Sequence, residues 1–314
     1  NFIYSRWSGK EAYPPDPQTL AGMGVAPYQT YFTENNESVS PSSGNLTVKA
    51  VDLRLPGRNG LDLEISRTYD MLGQQIVTLD GNRVPFNSFG TGWALDLPWI
   101  GKNDNGQILT LPGGGTYDIK WKMDGSGWGR QGHATFTYHE GTDFILEQFQ
   151  TYVRDKHFLW WKTGEVWRTS YYILHTKDGR EYRFDSAGKP VSLTDRTGKN
   201  SITYTWNNKN LVNIKDSLGR VVTFTYSGVL ISSIKSGDRE VKYTYANGLS
   251  SVIDPEGRVT TYTYTAMNSG YDNKIYTKLL QKITYPSKGY TQYSYSGKDD
   301  GFGSGITRAI ITNK

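Results

Sequence analysis

The sequence predicts an all-β protein in which antiparallel hairpin repeats pair with one another to form a continuous sheet. The chain is rich in turn formers and aromatics, with 35 Gly and 12 Pro among 314 residues and 14% Phe, Trp and Tyr. Helical periodicity is almost absent: no window carries apolar residues at i, i+3, i+4 and i+7 over three turns without a Gly or β-branched interruption. Beyond residue 200, aromatic pairs spaced i, i+2 recur in Thr-rich stretches, and in a strand such a pair lies on one face.

Composition narrows the functional classes. A chain of 35.4 kDa has room for a sizeable core or for two ordinary domains. The net charge of +5 comes without any basic run of five or more, which argues against nucleic acid as a partner. With no cysteine, neither a disulfide framework nor a zinc–thiolate site is available. No run of eighteen apolar residues exists, so no membrane span is expected. The opening NFIYSRWSGK lacks the apolar core of a secretory leader, and the chain is read as mature or internal to something longer.

The segments follow in order. Residues 1–43, with Pro14, Pro15, Pro17, Pro27 and Pro41, read as an extended, Pro-rich lead-in. Residues 44–177 read as a pre-repeat β region. It begins with a hairpin: NLTVKAVDLRL, the turn Pro56 to Gly60, then a strand in which Leu61, Leu63 and Ile65 alternate with polar neighbours. Eight of the nine tryptophans precede residue 170, whereas twelve of the 23 tyrosines follow residue 200, which marks a change of construction. Residues 178–298 carry the repeats, and 299–314 form a tail.

The repeat strands place Tyr204 with Trp206, Phe224 with Tyr226, Tyr243 with Tyr245, Tyr262 with Tyr264, and Tyr293 with Tyr295. An aliphatic motif follows each of the first four: Leu211 and Ile214, Leu230 and Ile234, Leu249 and Val252, Leu280 and Ile283. The leucines are 19, 19 and 31 residues apart, and the excess is assigned to an inserted loop at 267–278. The tetrads beginning at Asp185, Asp195, Asp216 and Asp254 read as type I turns. Asp accepts backbone hydrogen bonds there, and Gly198, Gly219 and Gly257 supply the positive φ that a following bulge needs. One hairpin is not stable alone, so neighbours must pair edge to edge.

DSLGRVVTFTY (Asp216 to Tyr226) and DPEGRVTTYTY (Asp254 to Tyr264) resemble the repeat of the YD-repeat, or Rhs, family. Residues 44–70, 89–100 and 178–189 resemble the segment that precedes those repeats in bacterial members. The resemblance covers roughly residues 44 to 298. It implies a spirally wound sheet forming part of a hollow β-shell, secreted or at the cell surface, that encloses a toxin or effector cargo. The remainder of the same polypeptide, or that cargo segment, is then the partner. Other members act in adhesion, which implies a surface glycan or receptor instead. The chain shows only about five or six repeats and lacks the family's self-cleaving C-terminal motif, so a closed shell from these residues alone is not expected.

No catalytic, cofactor or metal site is expected. His133, His139, His157 and His175 lack metal-ligand spacing, and the run Gly113 to Gly115 lacks the Lys-Ser/Thr of a phosphate loop and reads as a turn. Carboxylate pairs such as Glu140 with Asp143 cannot be placed across a cleft from sequence, and no G-x-S-x-G is present. Trp160, Trp161 and Trp167 form the strongest candidate ligand surface, since flat aromatic faces stack on sugar rings, with the insertion from Met267 to Lys278 as the alternative; core packing of the tryptophans outweighs that reading. Two glycosylation sequons, at Asn36 and Asn45, are near chance frequency.

Overall fold

The structure, a computed structural model, describes residues 37–39, 45–71, 88–103, 106–113, 115–123, 133–140, 143–155, 164–268, 275–298 and 306–313. Most of these residues are strand, joined by turns. β1 (Glu37–Val39), β2 (Leu46–Leu55), β3 (Leu63–Asp70) and β4 (Trp93–Leu95) form a four-stranded sheet in that order. β5 (Trp99–Asn103), β6 (Gly106–Thr110) and β7 (Thr116–Asp118) form a three-stranded sheet.

The remaining strands are β8 (Lys122–Met123), β9 (His133–Glu140), β10 (Phe144–Asp155), β11 (Gly164–Thr176), β12 (Glu181–Asp185), β13 (Pro190–Thr194) and β14 (Ser201–Asn207). They continue as β15 (Asn210–Lys215), β16 (Val221–Ser227), β17 (Leu230–Ser236), β18 (Arg239–Ala246), β19 (Gly248–Ile253), β20 (Val259–Asn268), β21 (Ile275–Thr284), β22 (Tyr290–Lys298) and β23 (Ile306–Asn313). Together they make one sixteen-stranded sheet in strict chain order.

The expected single, spirally wound sheet is overturned. Among the described residues the strands divide among three sheets, none closes on itself, and the largest ends at β8 on one side and β23 on the other. Closure requires the last strand to pair with an earlier one. Here each described strand of the large sheet pairs only with its neighbours in sequence. The break between β4 and β5 falls at Leu97 and Pro98, where the proline removes a ladder donor.

The chain forms two compact units. Among the described residues the first comprises 58–61 and 97–204, and the second 37–57, 62–96 and 205–313. In the first, β5–β7 and β9–β12 enclose a core of Ile100, Leu109, Tyr138, Phe144, Leu146, Tyr172, Leu174 and Phe184. Gly188 is required here twice over. Its φ is +82°, and a Cβ would lie 2.0 Å from the Ile100 carbonyl oxygen, because the Ile100 amide donates to the Gly188 carbonyl.

The 267–278 segment, assigned to an inserted loop, is ladder at both ends: Met267 pairs with Tyr276 and Asn268 with Ile275, while 269–274 lie outside the described residues. Most of the lead-in, 1–36 and 40–43, also lies outside them.

Candidate functional site: the covered aromatic face of the repeats

The turns that open with Asp share one design. Asp216 accepts the amides of Leu218 and Arg220 on Oδ1 (3.0 and 2.9 Å), and Asp254 accepts those of Glu256 and Arg258 (3.0 and 2.9 Å). Asp195 accepts from Thr197, Lys199 and Asn200, and its Oδ2 also takes the side-chain amides of Asn200 (2.7 Å) and Asn59 (3.0 Å). Those side-chain bonds, Asn200 foremost, hold the Asp195 carboxyl well below its ordinary range. Gly198, Gly219 and Gly257 sit at φ of 70°, 82° and 78°, closing each turn in the left-handed region.

The aromatic pair then divides its work. Tyr204, Phe224, Tyr243, Tyr262 and Tyr293 are buried, while Trp206, Tyr226, Tyr245, Tyr264 and Tyr295 are half-buried. The hydroxyls of the second group reach back. Tyr226 donates to the carbonyl of Leu211 (2.9 Å), Tyr245 to Ile231 (2.6 Å), Tyr264 to Leu249 (2.8 Å) and Tyr295 to Leu280 (2.5 Å).

Three of those acceptors precede a β-bulge. Thr225 pairs with Ser233 but Tyr226 with Ile231, leaving Ser232 as the extra residue; Ser250 and Gln281 hold the same place in the next two hairpins. The bulge explains the aliphatic motif. Residues i and i+3 of a regular strand face opposite sides, but one extra residue puts Ile231 and Ile234, or Leu249 and Val252, on the same buried face. In the second repeat the buried residue is therefore Ile231, and Leu230 is only half-buried.

In the second unit this aromatic face is covered by the chain itself. Phe89 packs on Tyr243 (centroids 4.9 Å apart) and Trp93 on Tyr262 (5.2 Å). Trp93 Nε1 donates to the Tyr264 hydroxyl (2.9 Å), and the Leu280 amide donates to the Tyr69 hydroxyl (2.9 Å). Along the rim, Arg220 donates to the carbonyls of Leu55 and Pro56, Arg239 to that of Arg54, and Ile231 N–H to that of Ser88.

A buried ion pair occupies the middle of this covered face. Arg67 Nε donates to Asp52 (3.1 and 2.9 Å to its two oxygens), Arg67 Nη2 donates to the Tyr262 hydroxyl (2.8 Å), and the Tyr243 hydroxyl donates to Asp52 Oδ2 (2.7 Å). Both charged side chains are 3% exposed. The guanidinium also lies over Trp93 (4.7 Å) and Tyr262 (5.1 Å), while its Nη1 is buried without a hydrogen-bond partner. Burial opposes the charge on Arg67, yet Asp52 and the neighbouring phenols outweigh it and hold the group above its ordinary value. Burial pushes the Tyr243 phenol well up, Asp52 adding to the rise and Arg67 opposing it.

Asp52 and Arg67 are not among the residues that sequence reasoning singles out, although both leave a trace there. Leu63, Ile65, Arg67 and Tyr69 share one phase of β3, so Arg67 is a charge on an apolar face. In β2 the buried phase runs Leu46, Val48 and then Leu53, Leu55, an odd step that marks a bulge. Val51 pairs with Ser66 and Leu53 with Ile65, making Asp52 the extra residue, re-aimed at Arg67.

Of the expected ligand surface, Trp160 and Trp161 lie outside the described residues; Trp167 belongs to β11, opposite Tyr152, and its side chain likewise lies outside them. A different aromatic group is half-buried on the first unit. Phe149 and Tyr171 stack across β10 and β11 (4.5 Å, 17°), and Arg183 covers Tyr171 at 4.1 Å. Both faces of the Tyr171 ring are thus occupied. The sequon residue Asn45 donates to Asp70 (2.9 Å), and its Thr47 is 7% exposed.

Among the described residues no group of His, Asp or Glu is arranged to hold a metal ion, and no helix is long and apolar enough to cross a membrane. No family model and no curated protein matches the sequence. Fold and site together define an all-β protein built sheet on sheet, with a large, repetitive antiparallel sheet covered in part by its own chain.

Proposed function

We propose that the chain is a non-enzymatic structural segment of a YD-repeat protein of the Rhs type, secreted or displayed at the cell surface. Its role is to wall off or present a cargo or effector segment, most simply one carried by the same polypeptide. The observation that supports this reading is the engagement of the repeats' recurring aspartates and aromatics in holding the sheet. The aspartates order turns, the first aromatics fill the core, and the second aromatics bond to the preceding hairpin.

The tyrosine face of the second unit is not open to a cargo. Tyr243, Tyr262 and Tyr264 are already occupied by Phe89, Trp93 and Arg67. A segment held against the second unit therefore meets the opposite face, where Thr223, Thr225, Thr244, Thr261 and Thr263 are exposed beside Lys235 and Lys242. Its contacts would be hydroxyl and ammonium hydrogen bonds, permissive of sequence.

Limited proteolysis of the full-length native polypeptide, compared with its cargo segment alone, tests this. Protection of the segment in the full-length chain is the expected result, and equal digestion of the two rejects enclosure. Calorimetric titration with a sugar panel tests the competing adhesion reading. Millimolar binding abolished by Trp161→Ala would move the function to a glycan-recognition surface at residues 160–167.

A further inference from the structure

We infer that Tyr226, Tyr245, Tyr264 and Tyr295, the second aromatics of four repeats, are a coupling device that makes the protection of one hairpin depend on the hairpin after it. The four hydroxyl bonds of the second unit all run in the same direction, from a strand to the carbonyl of a residue 14 or 15 positions earlier. They therefore skip the donor's own hairpin and end on its predecessor. Three of them end beside the extra residue of a bulge, where the regular ladder is interrupted and a strand pair is weakest.

A hairpin repeat completed in isolation leaves that bulge carbonyl to water. Pairing with the next repeat both extends the ladder and delivers the phenol, so two events that stabilise the older hairpin arrive together. In a linear repeat array, stability is a sum of intrinsic and nearest-neighbour contributions. Here the neighbour contribution has an identified atom pair and a direction, and the array closes from the later repeat back onto the earlier one. The inference does not depend on what the sheet presents.

Hydrogen exchange read segment by segment tests it. In Tyr245→Phe, amides of β16 and β17 are expected to exchange about threefold to tenfold faster, matching the loss of one hydrogen bond. In Tyr264→Phe the same increase is expected to move to β18 and β19, with a separate increase at β4, because Trp93 Nε1 donates to the same hydroxyl. Tyr243→Phe serves as the control, because its hydroxyl bonds to Asp52 and its effect belongs in β2 and β3. Acceleration confined to the mutated strand, or a uniform increase that does not shift between Tyr245→Phe and Tyr264→Phe, overturns the inference.

Discussion

In the first unit β5–β7 cover the large sheet with Ile100 and Leu109 set against Phe144, Leu146, Leu174 and Phe184, and the hydrogen bonds that Gln107 makes there join neutral groups. Gln107 donates to the Tyr172 hydroxyl (2.8 Å) and accepts from Trp121 Nε1 (2.6 Å). In the second unit β1–β4 cover the same kind of surface with an ion pair, Arg67 and Asp52, surrounded by phenols. A neutral pair can be lost at modest cost. A buried charge left alone cannot, so the second unit is vulnerable to any change that leaves one charge unpaired.

Alkali should separate the two units most strongly, because it acts on many groups at once. Burial raises the phenols of Tyr69, Tyr243, Tyr262, Tyr264 and Tyr293 above their ordinary value, and these all lie in the second unit; Tyr204 is the counterpart in the first. A raised folded pKa gives stability that is complete below the unfolded value of about 10 and is lost as pH rises towards the folded one. Each such tyrosine removes about 1.4 kcal/mol per pH unit above that point. Between about pH 9 and pH 11, exchange protection in 205–298 should therefore fall before that in 97–204, with tyrosinate absorbance rising as it does. Equal loss in both units would break the comparison.

Removing one member of the ion pair comes next. Arg67→Ala or Asp52→Ala should cost about 3–5 kcal/mol in denaturant unfolding, since either leaves the other charge buried and unpaired. The double substitution Asp52→Leu with Arg67→Met should recover most of that loss. A double variant as unstable as the singles would show that the cost lies in packing around Trp93 and not in charge.

Gly188 and Gly257 allow a cleaner comparison, because they occupy the same place in the same kind of turn with φ of 82° and 78°. At Gly257 a methyl group would have nothing within 4 Å of it, whereas at Gly188 it would meet the Ile100 carbonyl oxygen at 2.0 Å. Gly257→Ala should cost about 1 kcal/mol, the conformational penalty alone. Gly188→Ala should cost about 2–4 kcal/mol, adding overpacking against the three-stranded sheet. Thermal unfolding of the two variants side by side measures the difference.

These comparisons also show why part of the molecule was legible in the sequence and part was not. The strands after residue 178 announce themselves through Asp-x-x-Gly turns and i, i+2 aromatics, because turn chemistry and strand period are local properties. What covers the aromatic face is not local: Asp52 and Tyr243 stand 191 positions apart, and only the fold brings them together. The bulges lie between these cases. The odd spacing of Ile231 and Ile234, or of Val48 and Leu53, records them in the sequence, but counting from Leu230 conceals the first. The spiral winding came from resemblance alone, and the strand order, which ends at β8 and β23, does not bear it out.

The smallest expected effect concerns a repeat turn that departs from the others. At Tyr285 to Gly289 the backbone bonds are those of the Asp turns: Tyr285 N–H to the Gly289 carbonyl (2.8 Å) and Lys288 N–H to the Tyr285 carbonyl (2.9 Å). Tyr285 stands where the other turns have Asp, and its hydroxyl donates to Glu37 and so serves the covering sheet. Lys288 stands where the others have Gly, at φ of 70° and exposed. A side chain in that region carries strain of about 1–2 kcal/mol, partly offset by the unfolded-state entropy that glycine would add. Lys288→Gly should therefore stabilise the protein by about 0.5–1 kcal/mol, read as a rise in denaturant midpoint at unchanged slope. A fall would mean that the lysine side chain holds a contact in the folded state worth more than the strain it carries.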